Sequence, residues 1–436
     1  MDYDKAIDYL YSLVNYETIP HAGRIEGLRV DTTRKLMWYT GDPHKAYRVI
    51  HVTGTNGKGS AVQMIAQLLQ SMGLRVGMFT SPHLVETTER IKVNNTPVTP
   101  AIFGELVGDI ARIADLIDNR TTWFETITAA GFVHFANVAV DVAVVEVGML
   151  GRFDATNVVE ADVAVITNVA KDHTNGETGW RKAVAKEKAG IVKPSSRVVC
   201  GDTHPVVTAA FSAEQSKQML ERDKDFGVSE NHLAVGGRCL SVYTPYTHYE
   251  DLFVKLHGSY QACNASLAVT AVETFFDAAL PEDVITETLA NITIDGRFEI
   301  IGRRPLVVLD VAHNTDGVKA ATTTLYSDFA PSGRRLLVIG FQSGRDISEI
   351  LKALEIDADL EVFACTAPTA RGVLATEVAA IAERLGISSV EAYDDPAEAF
   401  QRAVASAQPE DSVLVCGSFT VVGAVKATLA DTIVGH

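Results

Sequence analysis

Cysteine is scarce in this 436-residue chain, and what there is shows no organisation. The five residues, Cys200, Cys239, Cys263, Cys365 and Cys416, are odd in number and share no spacing that suits a metal site or a redox pair. They read as small core residues in a reducing compartment, which excludes a disulfide-stapled fold. Positive charge is also short: 38 Lys and Arg stand against 55 Asp and Glu, for a formal net charge of −17. Nucleic-acid binding draws its affinity from counterion release on a basic footprint, so that class is excluded. The same deficit repels an anionic membrane surface. No apolar run approaches the length of a membrane span. Met1-Asp2-Tyr3-Asp4-Lys5 lacks the basic-then-apolar pattern of a signal peptide. The expectation is a cytoplasmic protein whose partners are small molecules, with no nucleic acid and no membrane.

What is present is the balance of a globular protein, 47 % hydrophobic and 21 % charged, with no low-complexity stretch and no internal repeat. The length exceeds one ordinary core, so two domains are expected. Residues 4 to about 15 read as an amphipathic helix, and the stretch from there to about Pro43 as irregular. Arg48 to Thr53 reads as a strand running into a Gly-rich turn, followed by a helix from Ser60 to Met72 and a strand from Arg75 to Phe79. Val140 to Val147 is almost continuously apolar, as a strand buried on both faces of a parallel sheet must be. Asp162 to Val169 and Arg197 to Cys200 look alike. Strand–helix alternation of this kind specifies a doubly wound α/β sheet. From about Arg297 the alternation restarts. Strands are expected at Leu306 to Val311, Arg335 to Phe341, Leu360 to Thr366 and Ser412 to Cys416, with helices near 315–329, 373–385 and 396–407. The division is therefore a P-loop ATPase domain over 1–296 and a smaller Rossmann-like α/β domain over 297–436, with a hinge close to Gly296-Arg297.

The strongest local signal is Gly54-Thr55-Asn56-Gly57-Lys58-Gly59-Ser60, placed between a predicted strand and a predicted helix. Glycines there let backbone N–H groups curl around phosphate oxygens, and the helix N-terminus adds a favourable dipole. Lys58 would reach the terminal phosphates and Ser60 would offer its hydroxyl to Mg²⁺. The loop departs from the general phosphate-loop pattern: Gly59 separates Lys58 from Ser60, and Val52 stands where that pattern has its first glycine. The Gly-x-Gly-x-x-Gly spacing of a dinucleotide-dependent oxidoreductase is absent.

With this altered loop the chain resembles the Mur-ligase superfamily, and within it folylpolyglutamate synthase and its bifunctional dihydrofolate-synthase relatives. The resemblance runs from His51 through Ser60 to Thr80-Ser81-Pro82-His83-Leu84, Glu89-Arg90-Ile91, Phe124-Glu125 and Glu146-Val147-Gly148. It continues through Asp154-Ala155-Thr156-Asn157, Asp172-His173-Thr174, Glu187-Lys188-Ala189-Gly190-Ile191 and Gln261 with Asn264-Ala265. It ends with Gly296-Arg297-Phe298-Glu299 and with Leu309-Asp310, Ala312-His313-Asn314. Glu146 sits in an otherwise apolar strand, where a carboxylate is expensive to bury without a cation or donors. It reads as a metal ligand or as a satisfied core carboxylate. The resemblance makes it a Mg²⁺ ligand, helped by the hydroxyl of Ser81. It gives His173, beside Asp172, a second Mg²⁺. Lys188 would by composition sit on a solvated helix face; the resemblance makes it a carbamylated lysine that orders the metal site. Asn264 and Arg297 match nucleotide contacts, and Asp310 and His313 match the second-domain wall that closes over the nucleotide.

The implied activity is an ATP-dependent ligase that joins L-glutamate to a folate-type carboxylate, dihydropteroate or a folylpolyglutamate, through an acyl phosphate. The implied cofactors are ATP and two Mg²⁺, and the implied state is a monomer. Three departures stand out. Leu150 and Thr315 occupy positions where the family has Gly and Pro, and Ile19 to Trp38 differs from the family's usual segment. If position 150 needs a positive φ, leucine there costs about 1 kcal/mol or more. These departures keep open a related ligase with a non-folate acceptor and a nucleotide-binding paralogue without catalysis. Trp123, Phe124 and Phe153 are candidates for flat walls around an acceptor, or simply core.

Overall fold

The computed structural model describes residues 1–17, 29–117, 120–171, 178–354, 356 and 358–434. The N-terminal region is built on an eight-stranded sheet of β1 (Arg48–Thr53), β2 (Val76–Phe79), β3 (Ile91–Val93), β4 (Thr96–Pro97), β5 (Val142–Glu146), β6 (Val163–Ile166), β7 (Arg197–Cys200) and β8 (Gln218–Glu221). Their order is β4-β3-β2-β5-β1-β6-β7-β8, parallel except for β3 and β4 at one edge. The apolar runs expected as strands form them because each is covered on both faces. The helices Lys58–Ser71 and Tyr260–Phe276 pack on one face, and Pro100–Leu116 and Trp123–Asn137 on the other.

The chain leaves β1 for β2 on one side, then crosses from β5 past β1 to β6 on the other. The order therefore reverses at β1, and the loops following β1, β5 and β6 open at the same end of the sheet. Such a switch point is where open α/β sheets bind ligands. In register, Val52 lies beside Glu146 and Thr53 beside Ile166, so those three loops begin side by side.

The C-terminal domain is a six-stranded sheet of β12 (Glu299–Arg303), β13 (Leu306–Leu309), β14 (Arg335–Ile339), β15 (Leu360–Cys365), β16 (Ser389–Tyr393) and β17 (Ser412–Cys416). Its order is β12-β13-β17-β14-β15-β16, with only β12 antiparallel. Between the two lies a three-stranded antiparallel sheet of β9 (Gly227–Ala234), β10 (Gly237–Tyr243) and β11 (His248–Val254), which the sequence reading did not anticipate. One further expectation is corrected. The stretch before Pro43 is not irregular throughout, since Val30–Tyr39 is a helix that buries Thr33, Leu36 and Met37 against the first region. Residues 18–28 of that stretch lie outside the described residues.

No helix among the described residues is long and apolar enough to cross a membrane.

Candidate functional site

The loop after β1 is shaped by glycines at positions that admit no side chain. Gly54 has φ +151°, and a Cβ there would fall 1.8 Å from Thr167 Oγ1. Gly57 has φ +81°, and a Cβ there would meet Asn264 Oδ1 at 2.7 Å. The helix Lys58–Ser71 starts directly after Gly57, so its free N–H groups face the loop.

The loop is fastened on one side by the segment following β6. Thr55 N–H donates to Asn168 O at 2.9 Å, and Asn56 N–H to Asn168 Oδ1 at 3.0 Å. Thr167 Oγ1 donates to Asn56 O at 2.6 Å. Lys188, only 5 % exposed, donates from Nζ to Gly54 O at 2.6 Å. The solvated-face reading of Lys188 is thereby excluded: its amine lies under the loop. Lys58 Nζ bends back to Thr55 O at 3.3 Å, across the mouth of the turn.

Glu146, 3 % exposed at the end of β5, accepts the Ser81 N–H on Oε2 at 3.2 Å. Burial pushes its carboxyl above the usual range, and Lys58, the Ser81 N–H, Arg297 and Arg90 oppose that shift. A Cβ on Gly59 would lie 3.5 Å from the Arg297 guanidinium and 3.8 Å from Glu146 Oε2, so both groups stand at the start of the helix, close to one another. Ser60 is buried one residue further on.

From the second domain, Arg297 also lies over the Phe419 ring at 5.3 Å, and the His313 ring faces Phe419 at 5.6 Å. Asp310 is buried and accepts N–H groups from Phe298 and Ala312, each at 2.8 Å; burial raises its carboxyl and Arg297 opposes it. One direct bond joins this wall to the loop, from Asn314 Nδ2 to Asn56 Oδ1 at 2.8 Å.

The structure thus brings together Gly54, Thr55, Asn56, Gly57, Lys58, Gly59, Ser60, Ser81, Glu146, Lys188, Asn264 and Arg297. Asp310 and His313 stand in the second domain behind Arg297 and Asn314, held by backbone groups. His173 and Asp172 lie outside the described residues. Among the described residues no three His, Cys, Asp or Glu side chains form a metal-holding group. The donors available are one buried carboxylate and serine hydroxyls. That set suits Mg²⁺, which is held by one or two carboxylates plus phosphate oxygens and water.

Three features escaped the sequence reading. Asn168 and Thr167 form the loop's floor; their signal was their place just after an apolar strand. Asn314 was noted within a motif but given no role. Arg90, 1 % exposed, forms a two-pronged pair with Glu17 at 2.8 and 2.9 Å, donates from Nε to His83 Nδ1 at 2.9 Å and lies over Trp123 at 4.4 Å. Burial, with Arg90 adjacent, pushes His83 down to about 4, so it is the neutral acceptor of that bond. Of the three candidate wall aromatics, Trp123 is buried beneath Arg90 and Phe124 closes on Gly148, where a Cβ would fall 2.4 Å from its ring. Phe153 is exposed.

Comparison with known proteins agrees with this arrangement. Residues 52–272 match the Mur ligase middle domain, and residues 296–419 the Mur ligase glutamate ligase domain. The chain is 35 % identical over 430 residues to the dihydrofolate synthase/folylpolyglutamate synthase of Mycobacterium tuberculosis, covering 90 % of this chain and 88 % of that one. Escherichia coli FolC in complex with DHPP and ADP superposes with a TM-score of 0.87 at 28 % identity, over 99 % of this chain and 99 % of that one. The Yersinia pestis bifunctional folylpolyglutamate synthase/dihydrofolate synthase complexed with AMPPNP and Mn ion gives 0.85 at 28 % identity, over 99 % and 98 % of the two chains. These matches extend along nearly the whole length, and the chain belongs to the folylpolyglutamate/dihydrofolate synthase family of Mur ligases.

Proposed function

We propose that this protein is an ATP-dependent ligase that joins L-glutamate to the carboxylate of a folate-type acceptor, dihydropteroate or a folylpolyglutamate, through an acyl phosphate. The observation that carries the reading is the meeting of Glu146 and Arg297 at Gly59, which sets a buried acid and a cation beside the glycine turn that opens the helix Lys58–Ser71.

Amide formation from a carboxylate is uphill in water. The acceptor carboxylate attacks the γ-phosphorus of ATP, and the bond to the ADP oxygen breaks. The amine of L-glutamate then attacks the acyl carbon, releasing phosphate and a proton. The backbone N–H groups of residues 54–60 hold the phosphate chain, while Lys58 and Arg297 stabilise the charge that gathers on the transferring group. Glu146, with the hydroxyls of Ser60 and Ser81, would hold Mg²⁺, and His173 a second ion. When bound, these ions neutralise developing charge on phosphoryl oxygens. Asn264 fixes the turn at Gly57 and lies beside the nucleotide. Lys188 is assigned a carbamylated side chain. That modification needs a neutral amine, and the side chain of Lys188 is buried beneath the phosphate loop. An unmodified Lys188 in the intact mass of an active sample would remove that assignment. The second domain, 297–436, closes about Gly296-Arg297 and brings Asp310, His313 and Asn314 over the nucleotide, excluding the water that would hydrolyse the acyl phosphate. The enzyme is taken as a cytoplasmic monomer, which size-exclusion chromatography at assay concentration checks.

The deciding experiment supplies Mg-ATP and L-glutamate with dihydropteroate in one reaction and a reduced folate in another, with mass spectrometry of products and phosphate release in parallel. Glutamate addition in either reaction is the expected result and assigns the acceptor. ATP binding with neither product overturns the folate reading and leaves a ligase with another acceptor.

A further inference from the structure

The helix Trp180–Ala189 carries Lys188 in its last turn, and the end of a helix leaves carbonyls without partners inside the helix. Here a strap formed by residues 148–157, running on from β5, supplies them. Arg152 N–H donates to Glu187 O at 2.8 Å, the Arg152 guanidinium to Lys186 O at 3.0 Å, and Asn157 Nδ2 to Gly190 O at 3.0 Å. Strap and helix touch closely: a Cβ on Gly151 would fall 2.9 Å from Lys188 O, and one on Gly190 would fall 2.4 Å from Arg152 Cβ. The strap's own shape is fixed by Asp154, whose carboxylate accepts N–H groups from Met149 at 2.8 Å and Thr156 at 3.0 Å.

Leu150 lies at the centre of this join. Its φ is +58°, the left-handed region that favours glycine. Its side chain is 9 % exposed and belongs to the apolar cluster that includes Val184, Ala185 and Ala189 of the Lys188 helix. Its carbonyl accepts from Thr53 Oγ1 at 2.7 Å, one residue before the Gly54 carbonyl that receives the Lys188 amine. Leu150 is therefore linked to both ends of the Lys188 contact: its side chain shares an apolar cluster with the helix that delivers the amine, and its carbonyl is bonded to the strand end that receives it.

We propose that Leu150 is a positioning residue for Lys188: its side chain pins the strap to the helix and so sets the place of the amine beneath the phosphate loop. The conformation alone would favour glycine. Leucine is kept there because the pin is worth more than the backbone preference. The departure at this position thus acts on the metal and phosphate side of the site and leaves the acceptor side unchanged. This deepens the proposed function by resting on Lys188 as a site residue, but it can be tested without turnover.

The test is competitive amine labelling with acetic anhydride on the full chain, degassed of CO2 so that Lys188 carries a free amine, read lysine by lysine by mass spectrometry, in wild type, Leu150→Gly, Leu150→Asn and Leu150→Met. Asparagine tolerates the left-handed backbone and lacks the apolar pin, so it stands in should Leu150→Gly fold poorly. Removing the pin favours local opening of the helix end, and the Lys188 labelling rate should rise on the order of tenfold in the Gly and Asn variants. Lys426, ion-paired with Glu299 in the second domain, should hold its rate, and Leu150→Met should keep Lys188 protected. Val198→Ala, in the same apolar cluster but on β7, controls for general loosening and should not expose Lys188. An unchanged Lys188 rate in the Gly and Asn variants overturns the inference, as does an equal rise at Lys426 or in Val198→Ala. In the ligase assay the Gly variant should lose kcat while keeping its acceptor KM. Loss of labelling protection without any ligase activity in wild type would instead strike the proposed function.

Discussion

The two sides of the phosphate loop are held in different ways. On the first-domain side, the backbone of residues 54–56 is bonded to Asn168, Thr167 and Lys188, all buried or half-buried and all carried by loops or helix ends fixed to one sheet. On the second-domain side, a single direct hydrogen bond among the described residues, Asn314 to Asn56, joins the wall to the loop. Elsewhere the second domain is tied back by scattered polar contacts: Lys171 to Glu349 at 2.7 Å, Arg371 to the Glu17 carbonyl at 3.0 Å, and the buried pair Arg238 and Asp328 at 3.1 Å. A cradle fixed before substrate arrives costs no reorganisation during the reaction. Beside these polar ties lie apolar ones, Leu84 in a second-domain cluster and the His257 ring against Phe298 and Phe329, so the domains meet through a mixed interface of the kind that allows one body to move against the other. In the proposed function, phosphate binding falls to the first side and closure to the second.

Replacing Lys58 is the strongest way to break that division. Lys58→Ala should lower ATP-dependent glutamate addition by at least about 10²–10³-fold, measured by product mass spectrometry; near-normal turnover would move the phosphates off the first-domain cradle. Glu146→Gln comes next. If the carboxylate holds Mg²⁺, the half-saturating Mg²⁺ concentration should rise by at least about tenfold. Thermal stability should hold or increase, since a buried charge whose desolvation already raises its pKa has been removed. A Mg²⁺ response like wild type together with a lower Tm would make Glu146 a structural partner of Lys58 and Arg297 instead.

What could be read beforehand follows how local each feature is. Strands β1, β7 and β17 were legible to the residue because each is a short run of apolar or β-branched residues bounded by charge or glycine. Strand β9 was not, since its burial alternates irregularly and most of its residues face solvent. The helix Val30–Tyr39 begins at Arg29 with no side-chain cap, so it carries no start signal. In the site, the Gly–Lys spacing is local and was read directly. Asn168, Asn314 and the Arg90–Glu17 pair depend on segments far apart in the chain, and nothing in the sequence near them announces the contact. Leu150 shows both limits at once. That it departs from a glycine was visible, but the side its side chain takes, toward the Lys188 helix, is set by tertiary packing.

A smaller effect separates the first-domain interior by pH. His51, on β1 beside the cradle, is held down to about 3, chiefly by burial. The unfolded chain protonates it near 6.5 while the folded chain does not until about 3, so stability is full above about 6.5 and falls as pH drops through that window. His51→Gln removes this term. Tm measured from pH 7.5 to 4 should fall more steeply in wild type than in the variant; parallel curves would mean that His51 charges in the folded state.

The smallest expected effect bears most directly on the second side. Asn314 does two things: its Oδ1 accepts the Gly317 N–H at 2.8 Å as the cap of the helix Thr315–Thr324, and its Nδ2 donates to Asn56. Thr315, where the family has proline, is simply the first residue of that helix, a position that proline and threonine both suit. Asn314→Ala loses both functions and should cost about 1 kcal/mol of stability through the cap. Asn314→Ser keeps a capping oxygen and loses only the bond to Asn56. Both variants should raise the KM for ATP by about three- to tenfold, the worth of one hydrogen bond, while only the alanine variant melts earlier. If Asn314→Ser binds ATP as wild type does, the Asn314–Asn56 bond is incidental to closure, and the wall must act through Arg297 alone.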